Sequence, residues 1–318
     1  MTDRELRIDS DIRFATTPLA AFYLDEDWFR LVAERVLARG WHVVAETSSV
    51  STRETALPVT LLPGALEEPL VLTRDRKERL HCLANSCTDR GELVCTKAGP
   101  AKLLRCATHG RTFRLDGELM EAPGFDGVPG FPSPSDSLAR LPAGAWGPLV
   151  FANLAPATPF EDVMRPLREA CTPPVQDAAT AAVPTTEQDV DANWALWVEG
   201  VLAAFAGDDV ALHASGAIRA GPSTRAWLFP GTFIDVAADA IDVHVVQPIG
   251  PARTRVVRRT WPTTIEQAST SWTLDAGRLA EHQRGLRSRA YRPGHYAPRR
   301  DRAVHHFHRL MADTLARA

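Results

Sequence analysis

Four residues in the first third of the chain have types and spacing suited to holding metal. Cys87, Asp89, Cys106 and His109 stand as C-x-D-x(16)-C-x(2)-H, each half on a turn that follows a short apolar run. Thiolates suit iron or zinc, imidazole binds either, and a carboxylate can bind iron through oxygen. Of five cysteines, Cys82, Cys87, Cys95 and Cys106 fall within 25 residues while Cys171 stands alone. An odd, clustered set favours metal or iron–sulfur chemistry over a disulfide framework. Cys82 and Cys95 could each replace a donor, but Cys82 lies in the apolar run LHCLA and both read better as core thiols. His305, His306 and His308 cluster near the end with no Cys or carboxylate partner at i+4, which reads as solvated or partly buried side chains rather than a metal site. His244 sits in the alternating run IDVHVVQ, which leaves its face open.

The elements that must carry these residues are legible from periodicity. Asp25 to Gly40 reads as a helix with Asp25 as N-cap and Trp28, Phe29, Val32, Val36 and Leu37 on one apolar stripe. From Trp41 to about Asn153 short alternating runs broken by Gly, Pro and Asp predict a small antiparallel β domain. A Pro- and Ala-rich passage between Ala155 and Gln188, holding a short helix near Phe160 to Ala170, predicts an inter-domain connection. Beyond it come a helix from Trp194 to about Phe205, three strand-like runs (AWLFPGTFIDV, IDVHVVQPI, RTRVVRRTW), and helices at Asp275 to Ala290 and Asp301 to Ala316. This is an α+β chain, with expected divisions at 1–40 (a helical segment packing on the C-terminal domain), 41–155 and 156–318.

Composition narrows the function classes. At 318 residues and 45% hydrophobic the chain can bury two cores. Thirty-six Lys and Arg against 39 Asp and Glu, with no block of like charge, argue against nucleic acid or a membrane surface as partner. The longest uncharged stretch, Leu141 to Phe160, is interrupted by four prolines and two glycines, so no membrane-spanning helix is expected. The charged opening MTDRELRIDSDIR has no apolar core of a signal peptide, and a cytoplasmic setting is the expectation.

Around the metal-binding pattern the text reads NSC-x-x-RG, HGRTF and LDGEL, preceded by GWHVVAE and followed by NW, LFP, QRGLRSRAY and HHFH. From about Thr17 to its end the chain resembles the α-subunit of Rieske non-haem iron ring-hydroxylating oxygenases, in the branch of glycine betaine and choline monooxygenase-like members. The resemblance implies an antiparallel β Rieske domain and a helix-grip domain of the START/SRPBCC kind, a curved sheet on a long C-terminal helix enclosing an apolar cavity. It also implies a [2Fe-2S] cluster on Cys87, Cys106 and His109, with Asp89 where the family has a second His. Either Asp89 is a fourth ligand, or it is a polar turn residue where the cluster has been lost.

In the second half the family motif NW-x(4)-EN-x(2)-[DE]-x-[YF]-H-x(4)-H meets NWALWVEGVLAAFAGDDVALH. Asn193, Trp194 and Glu199 match, Glu199 being expected in a buried, hydrogen-bonded structural role. Gly200 replaces Asn, Ala203 stands at the carboxylate that bridges subunits, Ala206 at the first iron-binding His, and Ala211 at the second. His213 recovers the second position only if the loop is two residues longer. Asp275, eight residues before Gln283, falls at the third ligand, though it also suits a helix N-cap. The resemblance therefore implies that mononuclear Fe(II) is absent. The chain then reads as a non-catalytic partner of an active Rieske oxygenase α-subunit in a trimer or hexamer, served by a ferredoxin or reductase. Two other readings stay open: an active oxygenase with a 2-Cys, 1-His, 1-Asp cluster, and a cavity protein binding an apolar small molecule.

Overall fold

The computed structural model describes residues 5–174, 185–205, 207, 209–238, 240–262 and 274–317. Near the N-terminus a short helix α1 (Ala20–Leu24) runs into α2 (Glu26–Arg35), where Asp25 accepts a hydrogen bond from the Asp27 amide and the acidic first turn suits the helix dipole. Its stripe of Trp28, Phe29, Val32 and Ala33 is buried.

The next strands are β1 (His42–Glu46), β2 (Thr55–Leu61), β3 (Glu68–Arg74), β4 (Leu80–Ala84), β5 (Gly99–Pro100), β6 (Leu104–Arg105), β7 (Thr112–Phe113), β8 (Leu119–Glu121), β9 (Arg140–Leu141), β10 (Ala143–Trp146) and β11 (Leu149–Ala152). They form three antiparallel sheets ordered β1-β11-β10, β5-β2-β3-β4-β9 and β6-β7-β8. The last two pack their apolar faces through Val71, Leu83, Leu104, Phe113 and Leu115, and Cys87 and Cys106 belong to that same small core.

Helix α3 (Phe160–Ala170), β12 (Thr186–Val190), α4 (Trp194–Leu202), β13 (Val210–His213), β14 (Gly216–Arg219), β15 (Thr224–Leu228), β16 (Thr232–Val236), β17 (Ala240–Gly250), β18 (Arg253–Pro262), α5 (Ala276–Gly285) and α6 (Arg302–Arg317) complete the chain. The seven strands make one antiparallel sheet ordered β12-β18-β17-β16-β15-β14-β13. Side chains alternate across it. Ile241, Val243 and Val245 face an outer core with Trp41, Phe160 and Met164. Phe233, Trp227 and Val246 face α4 and α6. On that inner side Trp197 meets Phe233 edge-on at 5.3 Å and stacks on His244 at 6.0 Å, while Phe307 meets Trp194 and Trp227, each at 5.7 Å. Aromatic rings thus pack between the helices and the sheet on that side.

The N-terminal segment is tied to this second half. Asn193 caps α4 through its Oδ1, and its Nδ2 donates to the Tyr23 and Pro251 carbonyls, while Gln283 Nε2 also donates to Tyr23. Strands β12, β13 and β14 were not foreseen, because TEQDV and ALHASGAI carry too little apolar alternation. Helix α5 ends at Gly285 rather than Ala290, since a turn follows before Pro293. Among the described residues no helix is long and apolar enough to cross a membrane.

His42 lies at the seam, 4% exposed, with Nε2 2.7 Å from the Leu37 carbonyl. Burial pushes its pKa down to about 4, against the opposing effect of that carbonyl. In the unfolded chain it is about 6.5. Between these values the unfolded state binds more protons, so stability is full above about pH 6.5 and is lost as pH falls toward 4. Loss on the order of 3 kcal/mol is expected over that window. Burial lowers His305 and His306 in the same sense. A series of denaturant midpoints should therefore fall with pH in wild type, and fall less in His42→Gln.

Candidate metal centre

Two short loops of the β domain have the same backbone plan. In the first, the Cys87 amide donates to the Glu92 carbonyl and the Gly91 amide to Cys87; in the second, the Cys106 amide donates to Arg111 and the Gly110 amide to Cys106. Each closes on a glycine with positive φ, +85° at Gly91 and +77° at Gly110, a conformation open to glycine at little cost. Backbone amides aim at both sulfurs: that of Asp89 at Cys87, and those of Thr108 and His109 at Cys106. Burial raises both thiols, and the amides oppose it; at Cys106 they prevail and its pKa is lowered, whereas Cys87 stays raised. Such amide-lined turns stabilise thiolates and are suited to iron.

The loops bring their donors together in pairs. The two thiols are hydrogen-bonded neighbours, both buried. His109 Nδ1 lies 3.1 Å from Asp89 Oδ2. A buried guanidinium fixes one loop against the other: Arg111 Nη1 donates to Thr88 Oγ1 at 2.9 Å, Thr88 Oγ1 donates to the Asp136 carbonyl, and the Arg111 guanidinium lies over Phe125 at 4.4 Å and Phe131 at 5.3 Å. Arg111 Nε is buried with no hydrogen-bond partner. Among the described residues no three His, Cys, Asp or Glu side chains gather about a point as a single ion requires. Division into a thiol pair and an imidazole–carboxylate pair is what a two-iron cluster, with two protein donors on each iron, asks for. The residues present therefore fit a [2Fe-2S] group, with one oxygen donor where an imidazole is usual.

Cys82 and Cys95 are core thiols. Cys82 sits in β4 with its pKa pushed up to about 12 by burial, and Cys95 Sγ donates to the Lys97 carbonyl at 3.4 Å.

In the second half each described position has its own local surroundings. Ala203 is the exposed C-cap of α4, Ala211 is exposed on β13, and Ala206 lies outside the described residues. His213 ends β13 beside a cavity of about 530 Å³ lined also by Trp41, Asp162, Phe229 and Leu310, and its carbonyl accepts from His306 Nε2 at 2.7 Å. Asp275 is exposed and caps α5, accepting from the Gly277 and Arg278 amides at 2.8 and 3.3 Å. Its carboxylate already has a structural task. Asp275→Ala is expected to cost about 1 kcal/mol in a denaturant titration and to leave the iron content per chain unchanged.

The histidines near the C-terminus are more engaged than their spacing suggested. His308 is fully buried, with Nε2 3.0 Å from Glu199 Oε1 and Nδ1 2.7 Å from Tyr296 Oη, and His305 Nε2 bonds to the Asp9 carbonyl. Glu199 thereby holds the hydrogen-bonded role its position suggested. His244, whose face the sequence left open, points to the inner sheet face, and the polar row it belongs to was otherwise missed: Asp242 takes hydrogen bonds from Arg258 and Thr260, each 2.8 Å, with His244 Nε2 at 3.3 Å, and Arg225 pairs with Asp235. All lie in strands where alternation marks one face but does not say that the face is covered.

Comparison with known proteins follows the same two-part division. Residues 40–132 match the Rieske [2Fe-2S] domain, and residues 210–317 match the ring hydroxylating alpha subunit (catalytic domain). The chain belongs to the Rieske ring-hydroxylating oxygenase α-subunit family. Choline monooxygenase of Arabidopsis thaliana is 21% identical over 95% of this chain and 83% of its own length. The carnitine monooxygenase oxygenase subunit of Escherichia coli (strain K12) is 32% identical over 60% of this chain, a stretch that spans about half (51%) of that protein. A crystal structure of a quaternary ammonium Rieske monooxygenase superposes with a TM-score of 0.77 at 21% identity, covering 98% of this chain and 99% of that one, and so shares the fold.

Proposed function

We propose that this chain is an α-type Rieske subunit that carries a two-iron cluster, builds no oxygen-activating iron site of its own, and works inside an oligomer with a competent α-subunit. The observation that carries this reading is the fate of the ligand positions. The residues at the two histidine positions, Ala206 and Ala211, are alanines whose methyl groups have no lone pair to donate, the bridging position is Ala203, and Asp275 caps a helix through its Oδ1. The remaining imidazole, His213, cannot hold a facial-triad iron alone.

A bound [2Fe-2S] group would supply one-electron transfer; Cys87, Cys106 and His109 would hold it. What the chain's own residues do is set its place: Arg111 clamps the loops, and Asp89 and His109 lie at the edge of the domain, with side chains 16% and 36% exposed. That edge is accessible to an electron donor of the ferredoxin or reductase class. Co-expression with a competent α-subunit from a neighbouring reading frame should give a stable mixed oligomer, with hydroxylation exceeding that of the competent subunit alone. Monomers that ignore that subunit would contradict the reading.

The inner sheet face favours a second reading, a working oxygenase. Asp235 and Asp242 are buried there, and Asp235 Oδ1 has no hydrogen-bond partner. That one spare buried carboxylate oxygen suits a cationic small molecule, and one solved relative is a quaternary ammonium Rieske monooxygenase in complex with the substrate gamma-butyrobetaine. Oxygen uptake by this chain alone, dependent on such a substrate, would decide for it.

A further inference from the structure

We infer that Asp89 is a ligand of the cluster, sharing one iron with His109 while Cys87 and Cys106 hold the other. This rests on the cluster-bearing part of the proposal above and is independent of the mononuclear site. Geometry supports it at three points.

First, the distance is right. Two donors each about 2.1 Å from a tetrahedral ion stand about 3.4 Å apart, and Asp89 Oδ2 and His109 Nδ1 are 3.1 Å apart. Both atoms already face one another across the gap between the loops. Second, the placement is held from outside. Thr88, next to Asp89, receives the Arg111 guanidinium and donates to the Asp136 carbonyl, so the backbone that carries Asp89 is anchored to the loop that carries His109.

Third, the charge is accommodated. Replacing a neutral imidazole by a carboxylate makes the cluster one unit more negative. Arg111 is 3% exposed, acts electrostatically on Cys87, and keeps a buried Nε with no hydrogen-bond partner. Its Nη1 also stands 4.0 Å from the Asp136 carboxylate, and a buried guanidinium held between the two loops offsets negative charge added there.

An anionic oxygen donor stabilises the oxidised iron relative to the reduced, so the potential lies below that of a two-His centre. In the intact chain, purified anaerobically and reduced, pulsed paramagnetic resonance should show one strongly coupled imidazole nitrogen, not two. Asp89→His should add a second nitrogen and raise the reduction potential, and Asp89→Ala should lower sulfide per chain or change the spectrum. Two coupled nitrogens in the wild type, or an Asp89→Ala spectrum and potential identical to wild type, would overturn the assignment. Sulfide in Asp89→His but none in wild type would also overturn it while leaving the Rieske site intact. Sulfide in neither would remove the cluster reading itself.

Discussion

Cys106→Ser is expected to abolish acid-labile sulfide and the visible absorption of the purified chain, and Cys87→Ser to do the same, while Cys82→Ser and Cys95→Ser leave both near wild type. The four thiols are all buried, so exposure does not separate them. Surroundings do. Cys87 and Cys106 sit at the start of paired turns, sulfur beside sulfur, with backbone amides aimed at them. Cys82 faces a sheet core that holds its thiol protonated, and Cys95 donates a hydrogen bond to the Lys97 carbonyl. A serine oxygen is a harder and far more basic donor than a thiolate, so loss at either paired position is expected to be near complete. Equal loss of sulfide in Cys95→Ser would show that the donor set has been drawn wrongly.

The second large effect concerns stability. His308→Ala should lower the stability of the C-terminal half by about 1–3 kcal/mol, the range for leaving buried hydrogen-bonding groups without their partner. His308 links α6 to α4 through Glu199 and to the chain before α6 through Tyr296, and Tyr23 Oη lies 3.5 Å from its Nε2. Burial, with Glu199 nearby, already raises both tyrosines, so neither phenol ionises to compensate. Removing the imidazole leaves the Glu199 carboxyl and two hydroxyls without that partner in a space filled by Phe307 and Trp194. Glu199→Gln keeps an acceptor in place and should cost clearly less. Denaturant unfolding followed by tryptophan fluorescence reads both, and equal costs would mean that shape rather than the polar link is being measured. Iron content should be unchanged in His308→Ala.

How far the sequence foretold this depended on the kind of signal. The turn chemistry around Cys87 and Cys106, with glycine four residues after each cysteine, is local and was visible in the text. Helices α2, α3 and α6 declared themselves through a stripe every three to four residues. Strands β13 and β14 did not, because among the described residues β13 pairs only with β14, and β14's other partner, β15, lies beyond a turn and supplies the order that ALHASGAI lacks. Asp275 was ambiguous in one dimension, since a capping aspartate and a ligating aspartate look alike until its oxygen is seen on the Gly277 amide. The burial of Asp235, Asp242 and His244 was not legible for a related reason. Charged residues in alternating strands read as a solvated face, and only α4 laid across that face buries them. His308 was read as partly buried at most; spacing placed it on the face of His305, but its contacts come from 109 residues away at Glu199.

Counting iron and acid-labile sulfide in the anaerobically purified chain, before and after mild chelation, tests most directly whether methyl groups have replaced the oxygen-activating centre. About two iron and two sulfide per chain, none of the iron removable without sulfide, is the expected result. A third iron that chelator strips while the sulfide stays would contradict it and make this chain an oxygenase in its own right.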